Sequence, residues 1–183
     1  MGTPQGGIQS LDRAFQLLEI VAEANRPLQL KEITEKSKLP KPTVYRILTS
    51  LEIWGYLDQD QDKSYRLGTK LLYLGSKVKE SMDIPGIAMP YLKRLNELTK
   101  ETVFLGVLDK GRSLYVAKLD SHHTVRLASR VGSRNYLHCT ALGKCLLTGV
   151  GKDGINAILN EHGMPKRTVN TITEPLLLHN AID

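Results

Sequence analysis

The stretch from Leu30 to Leu57, LKEITEKSKLPKPTVYRILTSLEIWGYL, admits few folds. Val44, Ile47, Leu48 and Leu51 fall at i, i+3, i+4 and i+7, with Trp54 one turn further, which predicts a helix that turns this face inward. The other face carries Lys41, Thr43, Tyr45, Arg46, Thr49 and Ser50, side chains able to donate hydrogen bonds to phosphates or base edges. Ahead of it Leu30 to Ser37 reads as a short amphipathic helix. Leu30 and Ile33 share its inner face, and Lys31/Glu35 and Glu32/Lys36 pair at i, i+4 outside. Between the two, Lys38-Leu39-Pro40-Lys41-Pro42 must turn the chain, because Pro40 cannot continue a helix while Pro42 suits the first turn of the next. Two such helices make either a plain αα-hairpin or a helix-turn-helix, whose second helix enters the major groove. Tyr56 to Asp60 and Ser64 to Leu67 then read as a β-hairpin, and a helix-turn-helix followed by a hairpin is a winged helix.

Charge refines this reading. The net charge of +6 is not concentrated in the first 68 residues, where nine Lys/Arg meet nine Asp/Glu. The useful signal is local: Lys36, Lys38, Lys41 and Arg46 occur without an acid between them, either as an electrostatic footprint for a polyanion or as a solvated basic face. In the wing, Asp58-Gln59-Asp60-Gln61-Asp62 opens like a calcium loop. Lys63 and Thr69 occupy the positions that need Gly and Glu, so calcium is excluded. The acids keep the hairpin tip solvated, which leaves Lys63, Ser64 and Arg66 as candidate backbone contacts.

Ser10 is the expected N-cap of a first helix, Leu11 to Asn25, with Leu11, Phe15, Leu18 and Ala22 on one stripe. Leu17, Ile20 and Val21 widen its apolar surface beyond a single core contact, as burial in a three-helix core would use. Gly68 to Met82 reads as a linker helix whose stripe of Leu71, Leu74, Val78 and Met82 suits pairing with a second copy. Asp83-Ile84-Pro85-Gly86 breaks it. Ile87 to Lys100 is again helical, with Met89, Leu92, Leu95 and Leu98 repeating at threes. Period two then takes over in Thr102 to Leu108, Ser113 to Leu119 and Val125 to Val131, followed by a turn at Gly132 to Asn135 and helices at Thr140 to Leu147 and Lys152 to Glu161. The expected fold is therefore α+β: a winged helix-turn-helix over residues 1–68, a linker helix over 69–83, and an α+β domain on an antiparallel sheet over 84–183.

Arranged in this order, SLDRAFQLLEIVAE, LPKPTVYRILTSLEIWGYL, SYRLGTKLLYLG, ETVFLGVLDKGRSLYVAKLDS and YLHCTALGKCLL resemble the IclR family of bacterial transcriptional regulators across nearly the whole chain. LTKETVFLGVLD, LYVAKLDS and SRVGSRNYL look most like its branch that controls pectin and 2-keto-3-deoxygluconate breakdown. Three residues depart from the family pattern. Lys38 stands where Gly is usual in the turn, Ser37 where an apolar residue is usual, and Pro42 where Ser is common. The resemblance implies a cytoplasmic repressor that binds operator DNA as a homodimer or tetramer and answers to a small acidic metabolite, with no membrane partner and no cofactor. It also implies further strands beyond residue 183, so that the second domain is C-terminally incomplete. The alternative is a DNA-binding or oligomerisation module whose shortened second domain no longer binds an effector.

On this reading the DNA contacts are Lys38, Lys41, Pro42, Thr43, Tyr45, Arg46 and Thr49, with Lys63, Ser64 and Arg66 in the wing. The family's effector pocket corresponds to the stretch from Leu137 to Lys144, with Thr140, Ala141 and Leu142, and Leu127, Ser129 and Arg130 of the preceding strand are the further candidate effector residues. Thr140 caps the helix that follows, and the amides of Ala141, Leu142 and Gly143 are then expected to be free at its positive end to meet a carboxylate. Arg126, Arg130 and Arg134 either complete that anion site or lie solvated on the outer face of a strand. An enzyme is not expected. Cys139 next to His138 lacks an orienting Asp or Asn, His122-His123 lacks a third ligand at metal spacing, and there is neither a P-loop nor a G-x-S-x-G. Cys139 and Cys145, six apart in a helical stretch, do not favour a disulfide, and no apolar run approaches the ~20 residues that span a bilayer.

Overall fold

Residues 7–121, 123 and 129–182 are described by a computed structural model. The chain divides into two units, Met1–Ser81 and Met82–Asp183. In the first, three helices close on one apolar core: α1 (Gln9–Glu23), α2 (Leu30–Ser37) and α3 (Lys41–Ile53). Leu17, Val21, Ile33, Val44 and Leu48 are buried at its centre, with Leu28, Leu57 and Tyr65 from the strands. A three-stranded antiparallel sheet, order β1-β3-β2, is formed by β1 (Leu28–Gln29), β2 (Leu57–Gln59) and β3 (Ser64–Leu67). The hairpin β2–β3 is the wing. The two-residue β1, which pairs Leu28 with Tyr65, has too little alternation to be seen in sequence.

Three local expectations are corrected. The first helix is capped by Ile8, whose carbonyl accepts the Leu11 and Asp12 amides at 2.8 and 3.1 Å, so Ser10 lies inside the helix. Its core face is Leu17/Val21; Leu11 and Phe15 are 50 % and 60 % exposed, because α2, α3 and β3 cover only one side of a broad apolar arc. Trp54 also lies outside the core. Gly55, at φ +73°, turns the chain immediately after it, so the helical period does not carry Trp54 inward.

Glu32 locks the start of α2. Its carboxylate pairs with Arg26 at 2.5 Å and accepts the Gln29 amide at 3.0 Å, which holds its pKa down at about 2 against an ordinary 4.5. The unfolded chain therefore binds the extra proton first, so this contribution is present above pH about 4.5 and is lost as pH falls through about 2. Glu32→Gln should flatten the acid limb of the first unit's stability profile by up to one proton, read as the slope of urea midpoint against pH. An unchanged slope would show that the pair contributes nothing.

The wing leads into α4 (Thr69–Glu80) through Gly68. The Gly68 amide donates to the Tyr56 carbonyl at 2.8 Å and that of Lys70 to Gly55 at 3.3 Å, which anchors the helix to the end of the recognition segment. No residue of α4 is buried within the chain; Leu72, Tyr73 and Val78 are each more than half exposed.

The second unit opens with α5 (Asp83–Thr99). The chain breaks after α4 as expected, but at Ser81-Met82, and Pro85 and Gly86 belong to the next helix. They sit in its first turn, where amides have no intrahelical partner and a proline costs little. Leu92 is buried with Ala88 and Met89 beside it, whereas Leu95 and Leu98 are exposed, because a repeat at threes drifts off the face of a 3.6-residue helix. β4 (Val103–Asp109) and β5 (Arg112–Leu119) form a hairpin through Lys110 and Gly111, both at positive φ, as a two-residue turn requires. The third strand is β6 (Arg134–Asn135), paired to Ser113 and Leu114 in the order β4-β5-β6, in the stretch expected as a turn. Of the strand expected at Val125 to Val131, residues 124–128 lie outside the described residues, and Ser129 to Val131 are not strand. Gly132, at φ +88°, instead makes a turn whose amide donates to the Tyr115 carbonyl at 2.8 Å. A helical layer completes the unit: α6 (Ala141–Thr148), α7 (Lys152–His162) and α8 (Pro175–Asn180), closed on Leu137, Leu147, Ile155, Leu159 and Leu178.

Candidate nucleic-acid interface

Position 38 sets the geometry of the turn. Lys38 adopts φ 56°, ψ 22°, a left-handed conformation that favours glycine, and its amide closes α2 on the Thr34 carbonyl at 3.1 Å. Ser37 is buried and uses its hydroxyl twice, donating to Thr34 O and accepting the Leu39 amide. A polar residue thus fits where an apolar one is usual, with its partners supplied by the turn itself. Pro40 is the residue before the second helix and Pro42 lies in its first turn, so the helix begins where expected.

With Val44 and Leu48 fully buried, the opposite side of α3 is fixed outward. Lys41, Pro42, Tyr45 and Arg46 are exposed, and Thr43 and Thr49 are half-buried beside them. Among the described residues Lys38, Lys41, Arg46 and Lys63 form no ion pair, so these cations retain their full charge toward solvent. Thr49 and Ser50 differ from the expectation of free donors. Their hydroxyls donate back to the carbonyls of Tyr45 and Arg46, at 3.0 and 3.1 Å, and offer lone pairs outward.

The wing is corrected at two positions. Ser64 is only 4 % exposed, and both its hydroxyl and its amide donate to Asp62 Oδ1, at 2.6 and 3.1 Å. These bonds hold the Asp62 carboxyl below its ordinary pKa. Ser64 therefore ties down the tip and presents no free donor. Arg66 is exposed but shared with Asp60 at 3.1 Å and Asp58 at 3.7 Å. Lys63, at the apex with φ 63°, is the wing's cation without an ion pair among the described residues. Sequence reasoning missed Arg13. It lines a cleft of about 610 Å³ between α1 and α3 together with Arg46, Thr43 and Ser50, over a floor that includes Leu51 and Trp54. The signal available was a basic residue one turn before Leu17, on the side of the first helix that meets α3.

In the second unit, Leu127 lies outside the described residues. Ser129 and exposed Arg130 precede the Gly132 turn, where the Arg130 amide donates to Ser133 Oγ at 3.2 Å. Thr140 caps α6 as expected, but its Oγ accepts the Gly143 amide at 3.0 Å. Of the three amides expected free, those of Ala141 and Leu142 remain without a partner among the described residues. The Leu142 side chain lies over Gly106, where a Cβ would collide with it, at the point where the β4–β5 register shifts. Gly106 was legible as a lone glycine inside a strand pattern, the mark of close approach or a bulge. Cys139 and Cys145 are both free thiols.

A winged helix-turn-helix unit followed by an α+β unit with a helix capped at Thr140 is the architecture of a family of regulators. Residues 10–61 match the IclR helix-turn-helix domain, and residues 76–183 match the family described as Bacterial transcriptional regulator IclR C-terminal. The chain belongs to the IclR family. It is 35 % identical over 173 residues to the HTH-type transcriptional regulator KdgR of Dickeya chrysanthemi, covering 93 % of this chain and 56 % of that protein. It is 33 % identical over 177 residues to the KdgR of Escherichia coli strain K12, covering 96 % and 67 %. The IclR transcriptional regulator from Alicyclobacillus acidocaldarius superposes with a TM-score of 0.80 at 26 % identity, over 96 % of this chain and 72 % of that one. Against the first of these relatives the chain thus spans little more than half the length.

Proposed function

We propose that this chain is a sequence-specific DNA-binding transcriptional regulator, a repressor, whose operator affinity is coupled to a small acidic metabolite in the second unit. The observation that carries the first half is the outward face of α3, where exposed Lys41, Tyr45 and Arg46 stand without ionic partners among the described residues, on a helix held from behind by Val44 and Leu48. Arg46 reads a base edge, Lys38 and Lys41 meet phosphates at the turn, and Lys63 meets them at the wing. The unburied α4, with Leu72, Tyr73 and Val78, and the exposed Leu11 and Phe15 of α1 supply apolar surface for a homodimer on a near-palindromic operator. The free amides of Ala141 and Leu142 at the start of α6 suit a carboxylate. The resemblance of LTKETVFLGVLD, LYVAKLDS and SRVGSRNYL to the branch that controls 2-keto-3-deoxygluconate breakdown favours a keto-acid of that kind.

The test is a mobility shift of the full chain on its own gene's upstream DNA at fixed salt, with competitor DNA, with and without 2-keto-3-deoxygluconate. Specific binding weakened by the acid supports the whole reading. Specific binding indifferent to it removes this effector, and no preference over competitor removes the regulator reading. Arg46→Ala should cost about 1–3 kcal/mol on the operator alone. An equal loss on unrelated DNA would make Arg46 a phosphate contact.

A further inference from the structure

The second unit holds a cationic cluster on residues the effector reading does not use. Arg112, at the start of β5, places its guanidinium carbon 3.5 Å from the ring centroid of Tyr136. Arg167, in the loop between α7 and α8, places its own 5.0 Å from the same centroid. The loop is held there by Thr171, whose hydroxyl oxygen accepts the amides of Arg167 and Thr168 at 3.1 and 2.8 Å. Both charges thus lie against one ring.

No acid among the described residues neutralises them. Asp109, on the same hairpin as Arg112, is taken by Arg134 at 2.5 Å. Among the described residues neither Arg112 nor Arg167 forms an ion pair or a side-chain hydrogen bond. A guanidinium held against an aromatic ring keeps N–H donors for carboxylate and phosphate oxygens. Below the ring, His138 meets Tyr136 edge-on at 5.5 Å, 1 % exposed, with Nε2 3.2 Å from the Pro165 carbonyl. Its pKa is lowered, first by burial and then by the positive charge of Arg112 and Arg167, so the site gains no third cation.

We propose that Arg112 and Arg167, held over Tyr136, form a binding site for a small doubly charged oxyanion, a phosphate or a dicarboxylate, distinct from the capped turn of α6. Two guanidiniums held against one ring without a counter-ion among the described residues are an incomplete ion cluster, and a dianion completes it. The site is independent of DNA binding and of the metabolite assigned to Thr140–Leu142.

The test is calorimetric titration of the full chain with inorganic phosphate and, separately, with malonate at pH 7.5, ionic strength held constant with potassium chloride. Saturable one-to-one binding is expected; whichever ligand binds tighter assigns the class. Arg112→Gln and Arg167→Gln should each weaken it by about tenfold or more, as loss of a charged hydrogen bond does. Tyr136→Phe, which keeps the ring, should bind as the wild type does. Tyr136→Leu should bind more weakly although both arginines remain, with melting curves confirming that each variant is folded. Arg94→Gln, exposed on α5, is the control for general charge. A second readout is the His138 imidazole by nitrogen-15 NMR, since sulfate, a dianion throughout the titration, should raise its pKa in the wild type and not in the double Gln variant. Absence of saturable heat with both ligands, or equal affinity in the double Gln variant and the Arg94→Gln control, would overturn the proposal.

Discussion

Leu48→Ala is expected to destabilise the first unit by about 2–5 kcal/mol, the range for truncating a fully buried leucine that leaves a cavity. Leu48 is 0 % exposed and lies in one core with Leu17, Val21, Ile33, Val44 and Leu57, contributed by α1, α2, α3 and the wing. Its loss therefore loosens every element that fixes the outward face of α3. Trp54, the sole tryptophan, lies at the end of α3, so fluorescence during urea unfolding reports this unit alone. The midpoint should fall steeply in Leu48→Ala and by less than about 1.5 kcal/mol-equivalent in Leu48→Met, which conserves volume. A fall below 1 kcal/mol-equivalent in the alanine variant would mean that the core collapses around the gap and that α3 is held from elsewhere.

Gly68→Ala is expected to cost about 1–3 kcal/mol, for a reason that is spatial and not conformational. Its φ of −83° and ψ of 157° suit any residue. A Cβ there would, however, strike the Gly55 carbonyl oxygen and lie 3.0 Å from the Tyr56 carbonyl carbon, both backbone atoms that cannot swing aside. The same contact carries the bonds that anchor α4, so the substitution should unseat the helix as well as strain the loop. Gly75→Ala is the contrast. It lies on α4 with nothing within 4 Å of its Cβ position, and it should stabilise the helix by about 0.5–1 kcal/mol. Hydrogen exchange of the α4 amides would separate the two, with protection lost only in Gly68→Ala. Equal protection in both would show that α4 does not depend on the anchor.

What could be read from the residues alone followed from periodicity. The α2–turn–α3 segment was legible because Leu30/Ile33 and Val44/Ile47/Leu48/Leu51 mark inner faces while two prolines bracket the turn. The β4–β5 hairpin was legible from alternation and from Lys110-Gly111. Misreadings arose where one residue obeys two rules. Leu11 and Phe15 are helically spaced yet face outward, because periodicity finds an apolar face without saying what covers it. Pro85 reads as a breaker unless it lies in a first turn, and β6 is too short to show alternation. At the candidate interface, residue types pointed to an outward, donor-bearing face on α3, but not to how its hydroxyls are spent. Whether Ser64 points out or ties down Asp62 depends on hairpin geometry that two adjacent polar letters do not encode.

The pairing of Arg66 with Asp58 and Asp60 sets a thermodynamic limit on the wing. A cation already neutralised by its own chain displaces few condensed ions from a duplex, since it brings its counter-charges with it. On the reading adopted for DNA, the ions released by each subunit are those displaced by Lys38, Lys41, Arg46 and Lys63. The logarithm of the binding constant should then fall with the logarithm of salt concentration at a slope of about −3.6 per subunit at most, with Arg66 adding nothing. Replacing Asp58 and Asp60 with asparagine would release Arg66, steepen that slope by about one, and raise affinity for DNA of any sequence. Those two carboxylates would then act as a brake on indiscriminate adhesion, leaving α3 to distinguish one site from the rest of the chromosome.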